Sequence, residues 1–359
     1  MIHLSELPFE IIVKIAENLD TRYVLNLSSC SKFFRQIVHS IRFFEQIDIL
    51  TIVALPYFDS FIDVKYSARV AHLPRHIKYL LWDNIDPLGN IPEGLEWLTL
   101  GYNHDQLLPL LPASLNKLIL GFNNNQPLPE LPDSLEGLTL GYRYDKPFSH
   151  LSDSLTYFNL GDDYNLPLPK LPDSLTHLML GSQYTQVLPT LPDSLKSLVL
   201  GSKYTHPLKL PNLLTYLCLG NDYNHPISQL PSKLEHLTLG YNYTQPLPPL
   251  PDSLTYLKLG NFYEATLPPL PNTMTHLMLD CHYNQPLPSL PASLTHLVLG
   301  YFYDQPLPPL PNTLTHLTLG GRRRSQLPQQ WPNLLQILRV RSHHLPIEGL
   351  SPNVKIEMC

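Results

Sequence analysis

The sequence predicts an α+β chain in which a short helical segment precedes a long solenoid, its coils sharing one parallel β-sheet and an outer wall of polyproline II. Two observations carry this prediction. A phrase of about twenty residues, roughly Leu-Pro-x-Ser-Leu-x-x-Leu-x-Leu-Gly, recurs twelve times between Leu73 and Gly320, and a period of that size marks stacked supersecondary units. Before the repeats the apolar spacing is helical, in three short stripes within the first 45 residues.

The copies close on Asp83, Gly101, Gly121, Gly141, Gly161, Gly181, Gly201, Gly220, Gly240, Gly260, Asp280, Gly300 and Gly320, with Arg341 closing a degenerate last copy. The steps are 18 at the start and 20 thereafter, apart from a single 19 between Gly201 and Gly220. One residue missing in Lys209-Leu210-Pro211 absorbs that difference and restores the register.

The span from Gly240 to Gly260 serves as the specimen. Leu257-x-Leu259 places both leucines on one face of a strand. Upstream, Leu247-Pro248-Pro249-Leu250-Pro251 spaces its leucines by three, which fits three residues per turn of polyproline II and points both the same way. Proline is tolerated there because that helix has no internal hydrogen bonds. The 38 prolines are therefore structural rather than a sign of disorder. Each strand can pair only with the strands of the coils before and after it, in parallel, about 4.8 Å away. Roughly fourteen strands at that spacing would extend on the order of 65 Å. Glycine at the strand end implies either positive φ or close approach to the next coil, and Asp83 and Asp280 are expected to adopt the left-handed conformation in its place.

Three positions after the closing residue, tyrosine recurs in nine consecutive copies, Tyr144, Tyr164, Tyr184, Tyr204, Tyr223, Tyr243, Tyr263, Tyr283 and Tyr303. These rings are expected to form a buried spine with hydroxyls reaching its edge. The next position is mostly Asn, Asp or Thr (Asp145, Asn165, Thr185, Asn224, Thr244, Asn284), suited to bonding the turn backbone.

What remains free is the outward side of each strand. Four residues before the closing position the column reads Trp97, Lys117, Gly137, Tyr157, His177, Ser197, Tyr216, His236, Tyr256, His276, His296 and His316. Two residues on it reads Thr99, Ile119, Thr139, Asn159, Met179, Val199, Cys218, Thr238, Lys258, Met278, Val298 and Thr318, a mildly apolar and almost uncharged surface. Aromatic and imidazole groups with polar tips suit a protein ligand. Trp97, Tyr157, His177, Tyr216, His236, Tyr256, His276, His296 and His316 are therefore the candidate target-binding residues. Retention of histidine by tandem duplication alone is the competing explanation. No metal site is expected, because no carboxylate or thiolate joins the histidine column and a flat ladder does not close a tetrahedral site.

Composition narrows the function classes. A net charge of -6 gives no basic footprint for nucleic acid. Cys30, Cys218, Cys281 and Cys359 show no pairable or metal-type spacing, so a reducing compartment is expected. The first residues lack a signal-peptide pattern and no run of eighteen apolar residues occurs, so a soluble, intracellular, cytoplasmic protein is expected, without membrane partner. There is no phosphate loop, His-Glu-x-x-His or nucleophile motif, so no enzyme, catalytic residue or cofactor is expected.

In the N-terminal segment Leu7, Ile11, Ile12, Ile15 and Leu19 share one helical face, with Pro8 at a first helical position. Asp20 or Thr21 can cap a second helix carrying Val24, Leu25 and Leu27, and Phe33, Phe34, Ile37, Val38 and Ile41 form a third stripe. So few residues bury little core alone and must pack on the array or on a partner.

The segment from Leu7-Pro8-Phe9-Glu10-Ile11-Ile12 to Leu19-Asp20, followed by Ser28-Ser29-Cys30-Ser31-Lys32-Phe33-Phe34, resembles an F-box over about Leu4 to Glu45, with Phe34 where many F-boxes have Trp. The repeats, with Tyr283-Asn284-Gln285-Pro286-Leu287 or Phe122-Asn123-Asn124-Asn125-Gln126-Pro127-Leu128, resemble FNIP repeats, relatives of leucine-rich repeats, with Tyr mostly in place of the motif's Phe. The combination is similar to F-box and FNIP repeat-containing proteins of giant amoeba-infecting viruses and social amoebae. The resemblance implies a substrate receptor of a cullin-RING (SCF-type) ubiquitin ligase. Its F-box would dock a Skp-type adaptor through Leu7, Pro8, Ile11, Ile12 and Ile15, and its solenoid would present an unidentified target protein. For a viral member the compartment would be the host cytoplasm or nucleus. The alternative is a scaffold or decoy that binds without signalling ubiquitination, its N-terminal helices serving as a solenoid cap.

The organisation read from the sequence is thus an F-box at 1–45, a junction and N-terminal capping strand at 46–72, a repeat solenoid at 73–345 and a C-terminal cap at 346–359. Within the junction Phe61 to Tyr66 reads as an edge or capping strand, and Val354 and Ile356 as a final one. Arg322-Arg323-Arg324 reads as a solvated turn.

Overall fold

A computed structural model describes residues 46–55, 58–67, 72–320, 328, 330–340, 347 and 349–358. The candidate adaptor-binding residues Leu7, Pro8, Ile11, Ile12 and Ile15, together with Cys30, Cys359, Arg341 and the Arg322 to Arg324 turn, lie outside the described residues. The chain divides into two compact units, Met1–Leu155 and Thr156–Cys359.

In the first unit a two-residue strand, β1 (Ile47–Asp48), runs into a single helical turn, α1 (Ile49–Ile52). The Asp48 carboxylate caps that turn by accepting from the Leu50 amide at 3.0 Å, and Ile49 and Ile52 are buried. A 3-10 turn at Phe58–Ser60 leads to β2 (Asp63–Tyr66), β3 (Tyr79–Trp82), β4 (Trp97–Leu100), β5 (Lys117–Ile119) and β6 (Gly137–Thr139). Every strand pairs in parallel with the next, and Val64, Leu80, Leu98, Leu118 and Leu138 stand in one register row. β2 is therefore an interior strand, because β1 pairs along its outer side; the sequence could not show this, since Ile47–Asp48 is too short to leave an alternation pattern.

The second unit repeats the arrangement with β7 (Tyr157–Asn159), β8 (His177–Met179), β9 (Ser197–Val199), β10 (Tyr216–Cys218), β11 (His236–Thr238) and β12 (Tyr256–Lys258). It continues through β13 (His276–Met278), β14 (His296–Val298), β15 (His316–Thr318), β16 (Ile337–Val340) and β17 (Lys355–Met358). Pairing is parallel throughout, and the coil shortened at Lys209 to Pro211 keeps register, with Leu198 opposite Leu217 and Leu217 opposite Leu237. The final strand starts one residue after Val354 and places Ile356 against Leu338. Among the described residues the only helices are the four-residue α1 and the three-residue 3-10 turn, so strand dominates.

Each part of the repeat has a mechanical role. The strand leucines, such as Leu217, Leu237, Leu257 and Leu277, are wholly buried. The serine or threonine of the Leu-Pro-x-Ser-Leu phrase ties coils together: Ser253 Oγ donates to the Leu234 carbonyl at 2.7 Å, and Thr313 Oγ1 to that of Leu294 at 2.9 Å. The polar position after the tyrosine does the same, with Asn224 Oδ1 accepting from the Thr244 amide of the following coil at 2.9 Å. In the arms Leu247 is buried while Leu250 is half-buried.

The closing glycines are there for close approach. Among the described residues the sole positive φ is at Gly349, and Asp83 and Asp280 do not adopt the left-handed conformation expected of them. A Cβ on Gly240 would lie 1.8 Å from the carbonyl oxygen of Gly220, and one on Gly201 the same distance from that of Gly181. Backbone meets backbone at these glycines, while Asp83 and Asp280 accommodate a Cβ at the same place in their own coils.

The tyrosine spine is buried, with ring centroids 6.2–6.4 Å apart from Tyr164 to Tyr303. Its hydroxyls turn inward rather than to an edge. That of Tyr263 accepts from the Leu247 amide at 3.3 Å. Burial pushes the Tyr184 and Tyr243 phenols up to about 12, opposed by the amides of Leu168 and Ile227.

Candidate functional site

The second unit gathers eight of the nine candidate target-binding residues in one outward row, since Tyr157, His177, Ser197, Tyr216, His236, Tyr256, His276, His296 and His316 are successive ladder partners with Ser197 among them. Trp97 belongs to the first unit, where its row neighbours are Tyr79 and Lys117.

The row is a stack. Tyr216 and His236 lie 4.4 Å apart between centroids, His236 and Tyr256 3.9 Å, and the pairs His276–His296 and His296–His316 4.2 Å each, all within 15° of parallel. Tyr256–His276 breaks the run at 5.8 Å and 33°, and Tyr157–His177 is similarly tilted at 6.1 Å and 36°. On the far side of the core the tyrosines of the same coils stand more than 6 Å apart, as at Tyr283–Tyr303 (6.3 Å).

A threonine precedes four of the histidines and fixes their rings. Thr275 Oγ1 lies 3.1 Å from the Thr255 carbonyl and 2.8 Å from His276 Nδ1; Thr295 and Thr315 repeat both contacts with His296 and His316. A hydroxyl has one proton, so the arrangement that satisfies both contacts has threonine donating to the carbonyl and accepting from Nδ1–H. Nε2 of these three imidazoles is then left as a lone-pair acceptor.

Burial holds the imidazoles of His236, His276 and His296 below the ordinary histidine range, and neighbouring imidazoles add to the effect. The face from Tyr157 to Thr318 has no carboxylate in either outward column and one exposed ammonium, Lys258. Among the described residues no group of three His, Cys, Asp or Glu is placed to hold a metal ion. The parallel imidazoles point their lone pairs alongside one another rather than toward a common point. No described helix is long and apolar enough to cross a membrane.

Comparison with known proteins matches residues 4–46 to the F-box domain. It matches the FNIP Repeat at 164–203, 184–222, 204–242, 223–262 and 283–322, windows whose starts show the same one-residue shortening before 223. The chain carries an F-box and FNIP repeats. Among solved structures it is similar to CroV588, described as a novel circular LRR protein (28% identity, TM-score 0.59, 84% of this chain and 53% of that one). It is also similar to YopM from Yersinia enterocolitica (28% identity, TM-score 0.62, 79% of this chain and 64% of that one). A leucine-rich-repeat protein of Leptospira interrogans, 21% identical with a TM-score of 0.55 over 90% of this chain and 97% of that one, shares the fold. The chain therefore spans 53% and 64% of the first two neighbours' own lengths. No curated protein matches it.

In this F-box and FNIP repeat protein, sequence reasoning found the row but missed what holds it. The Thr-His dipeptide at Thr176, Thr275, Thr295 and Thr315 was the available signal, a polar residue recurring beside each imidazole. Methionines of the second column also bond the row: the Tyr256 hydroxyl donates to Met278 Sδ at 2.9 Å and that of Tyr157 to Met179 Sδ at 3.5 Å. An open cavity of about 530 Å³ lies at the outer wall between Leu188–Leu191 and Pro207–Asn212, and another lies at the corresponding place between Leu128–Leu131 and Pro147–His150.

Proposed function

We propose that this F-box and FNIP repeat protein is the substrate-recognition subunit of an SCF-type cullin-RING ubiquitin ligase. The carrying observation is the pairing of an F-box at 4–46 with a leucine-rich-repeat-type solenoid whose sheet face carries a row of aromatic and imidazole rings. The F-box would engage a Skp-type adaptor through Leu7, Pro8, Ile11, Ile12 and Ile15, and the row from Tyr157 to His316 would hold the target protein. The chain would supply proximity and orientation, and catalysis would belong to the partner enzymes. Proline at fixed positions in arms that are neither helix nor strand supports a polyproline II wall, which would stiffen the array. Cys218 and Cys281 are free thiols, which supports a reducing, cytoplasmic setting.

β1 pairs along the outer side of β2, and Ile49 and Ile52 of α1 are buried. Pull-down with a purified Skp-type adaptor tests the reading. The full chain should retain adaptor, and the Ile11→Asp, Ile15→Asp double variant should lose it with its circular dichroism unchanged. Equal retention by both chains would refute adaptor docking at this face, and loss of the solenoid's thermal transition would show a cap.

A further inference from the structure

The first unit carries a second outward row that the target-binding row of the second unit does not explain. Asp63, Tyr79, Trp97 and Lys117 are successive ladder partners on β2 to β5. The Lys117 ammonium lies over the Trp97 indole, 4.1 Å from the ring centroid, so one face of this ring already takes a cation within the chain. Tyr79 meets Trp97 edge-on at 6.0 Å and 72°. Between Asp63 and Trp97, Leu81, Thr99 and Gln46 complete the walls of an open cavity of about 420 Å³.

The charges around this notch are unevenly satisfied. Lys65 is paired with Asp83 at 2.8 Å, and Lys78 with Glu96. Asp63 has no ion pair among the described residues; its hydrogen-bond partner is the Gln46 amide at 3.4 Å, a long contact. The carboxylate is half-buried, and burial pushes its pKa up more than the amide restores it. A desolvated anion without a cation, an exposed indole at 36% and an apolar wall between them form a receptor for a positive charge on an aliphatic stem.

We infer that this notch binds a lysine side chain of a partner protein, its stem over Tyr79 and Leu81 and its ammonium at the Asp63 carboxylate. Tyr79 stands on the strand between Asp63 and Trp97, so it forms the floor for the stem, and Trp97, held by Lys117 and Tyr79, walls the far end. This deepens the reading of the sheet face as a partner-binding surface, and it rests on that reading only for the macromolecular source of the lysine.

The probes are Nα-acetyl-lysine amide, its uncharged isostere Nα-acetyl-norleucine amide, and Nα-acetyl-arginine amide, titrated into the full-length chain and followed by saturation-transfer NMR and tryptophan fluorescence. Lysine amide is expected to bind saturably and about tenfold more tightly than norleucine amide. Asp63→Asn should weaken lysine about tenfold without lowering the melting temperature, since it removes a half-buried charge, and Tyr79→Ala should weaken lysine and norleucine alike by removing the floor under the stem. Equal binding of norleucine, tighter binding of arginine, an unchanged affinity in Asp63→Asn, or no saturation by any probe would overturn the assignment. None of these results bears on adaptor capture, so failure here and failure of the ligase reading are separable.

Discussion

A single methyl group should have opposite effects at two glycines of this chain. At Gly240 an added Cβ would sit 1.8 Å from the Gly220 carbonyl oxygen and 2.8 Å from its carbon. Neither atom can move without its coil, so relief requires the two coils to part by roughly 1 Å or more, against a strand spacing of about 4.8 Å. The ladder bond beside it, Leu219 amide to Thr238 carbonyl at 2.9 Å, would lengthen with them. Overpacking of this kind costs about 1–3 kcal/mol and a lost buried hydrogen bond about 1 kcal/mol more. The expected cost is about 3 kcal/mol, or a melting temperature lower by about 6 °C at roughly 2 °C per kcal/mol for a chain of this size. Asp83 and Asp280 show that the array survives a Cβ in this column, the ladder bond beside Asp280 (Leu259 amide to Met278 carbonyl) still being 2.9 Å, so collapse is not expected.

Gly137 stands in the outward column of β6, buried beneath the Lys117 side chain, and the nearest atoms to an added Cβ there belong to that flexible chain, Cγ at 3.3 Å and Cδ at 3.7 Å. Gly137→Ala should therefore gain the unfolded-state entropy term, about 0.4–1 kcal/mol, and melt at the same temperature or about 2 °C higher. The assay is thermal unfolding of both variants and the parent by far-ultraviolet circular dichroism. Equal shifts for the two variants, or a drop under about 2 °C for Gly240→Ala, would refute backbone contact as the reason for the glycine column.

Tyr256→Ala combined with His276→Ala should weaken capture of a target by the folded chain, read by affinity purification with proteasome and ligase activity blocked; unchanged capture would remove the second unit's row from target binding. Stability should fall as pH drops from 7.5 toward 5.5. His236, His276 and His296 are held below the ordinary value near 6.5, so in that window the unfolded chain takes up more protons than the folded one. Their contribution is complete above about 6.5 and is lost on acidification. His276→Asn with His296→Asn should flatten the melting-temperature profile, and an identical slope in parent and variant would show that other groups set it.

The solenoid was legible because its signals are redundant: a dozen leucine ladders, one deleted residue and its restored register all point to one stack. The strand positions of Trp97 and of the row Tyr157 to His316 followed from alternation alone. What alternation could not give is the relation between coils. Close approach rather than positive φ at Gly240, the anchoring of Thr275 and Thr295 on the carbonyls of Thr255 and Thr275, and the Tyr79–Trp97 notch with Asp63 all depend on neighbours about twenty residues away. β1 was missed because a two-residue strand has no period, and its pairing is what makes β2 interior.

The breaks in the ring stack have a local cause that the repeat itself can test. Where tyrosine precedes histidine in the row, the pair is parallel at Tyr216–His236 and tilted at Tyr157–His177 and Tyr256–His276. The difference follows the second column of the later coil. Met179 and Met278 accept the hydroxyls of Tyr157 and Tyr256 and draw those rings aside, whereas Thr238 stands at the corresponding place beside His236 and bonds the imidazole Nε2 at 3.2 Å instead. Met278→Thr should therefore let Tyr256 swing back over His276, making an unbroken stack from Tyr216 to His316. Upfield ring-current shifts of the His276 ring protons would report it, together with a further fall in that imidazole's pKa as the second face is covered. If the shifts stay as in the parent, the sulfur contact is a consequence of the tilt and the coil backbone sets the break.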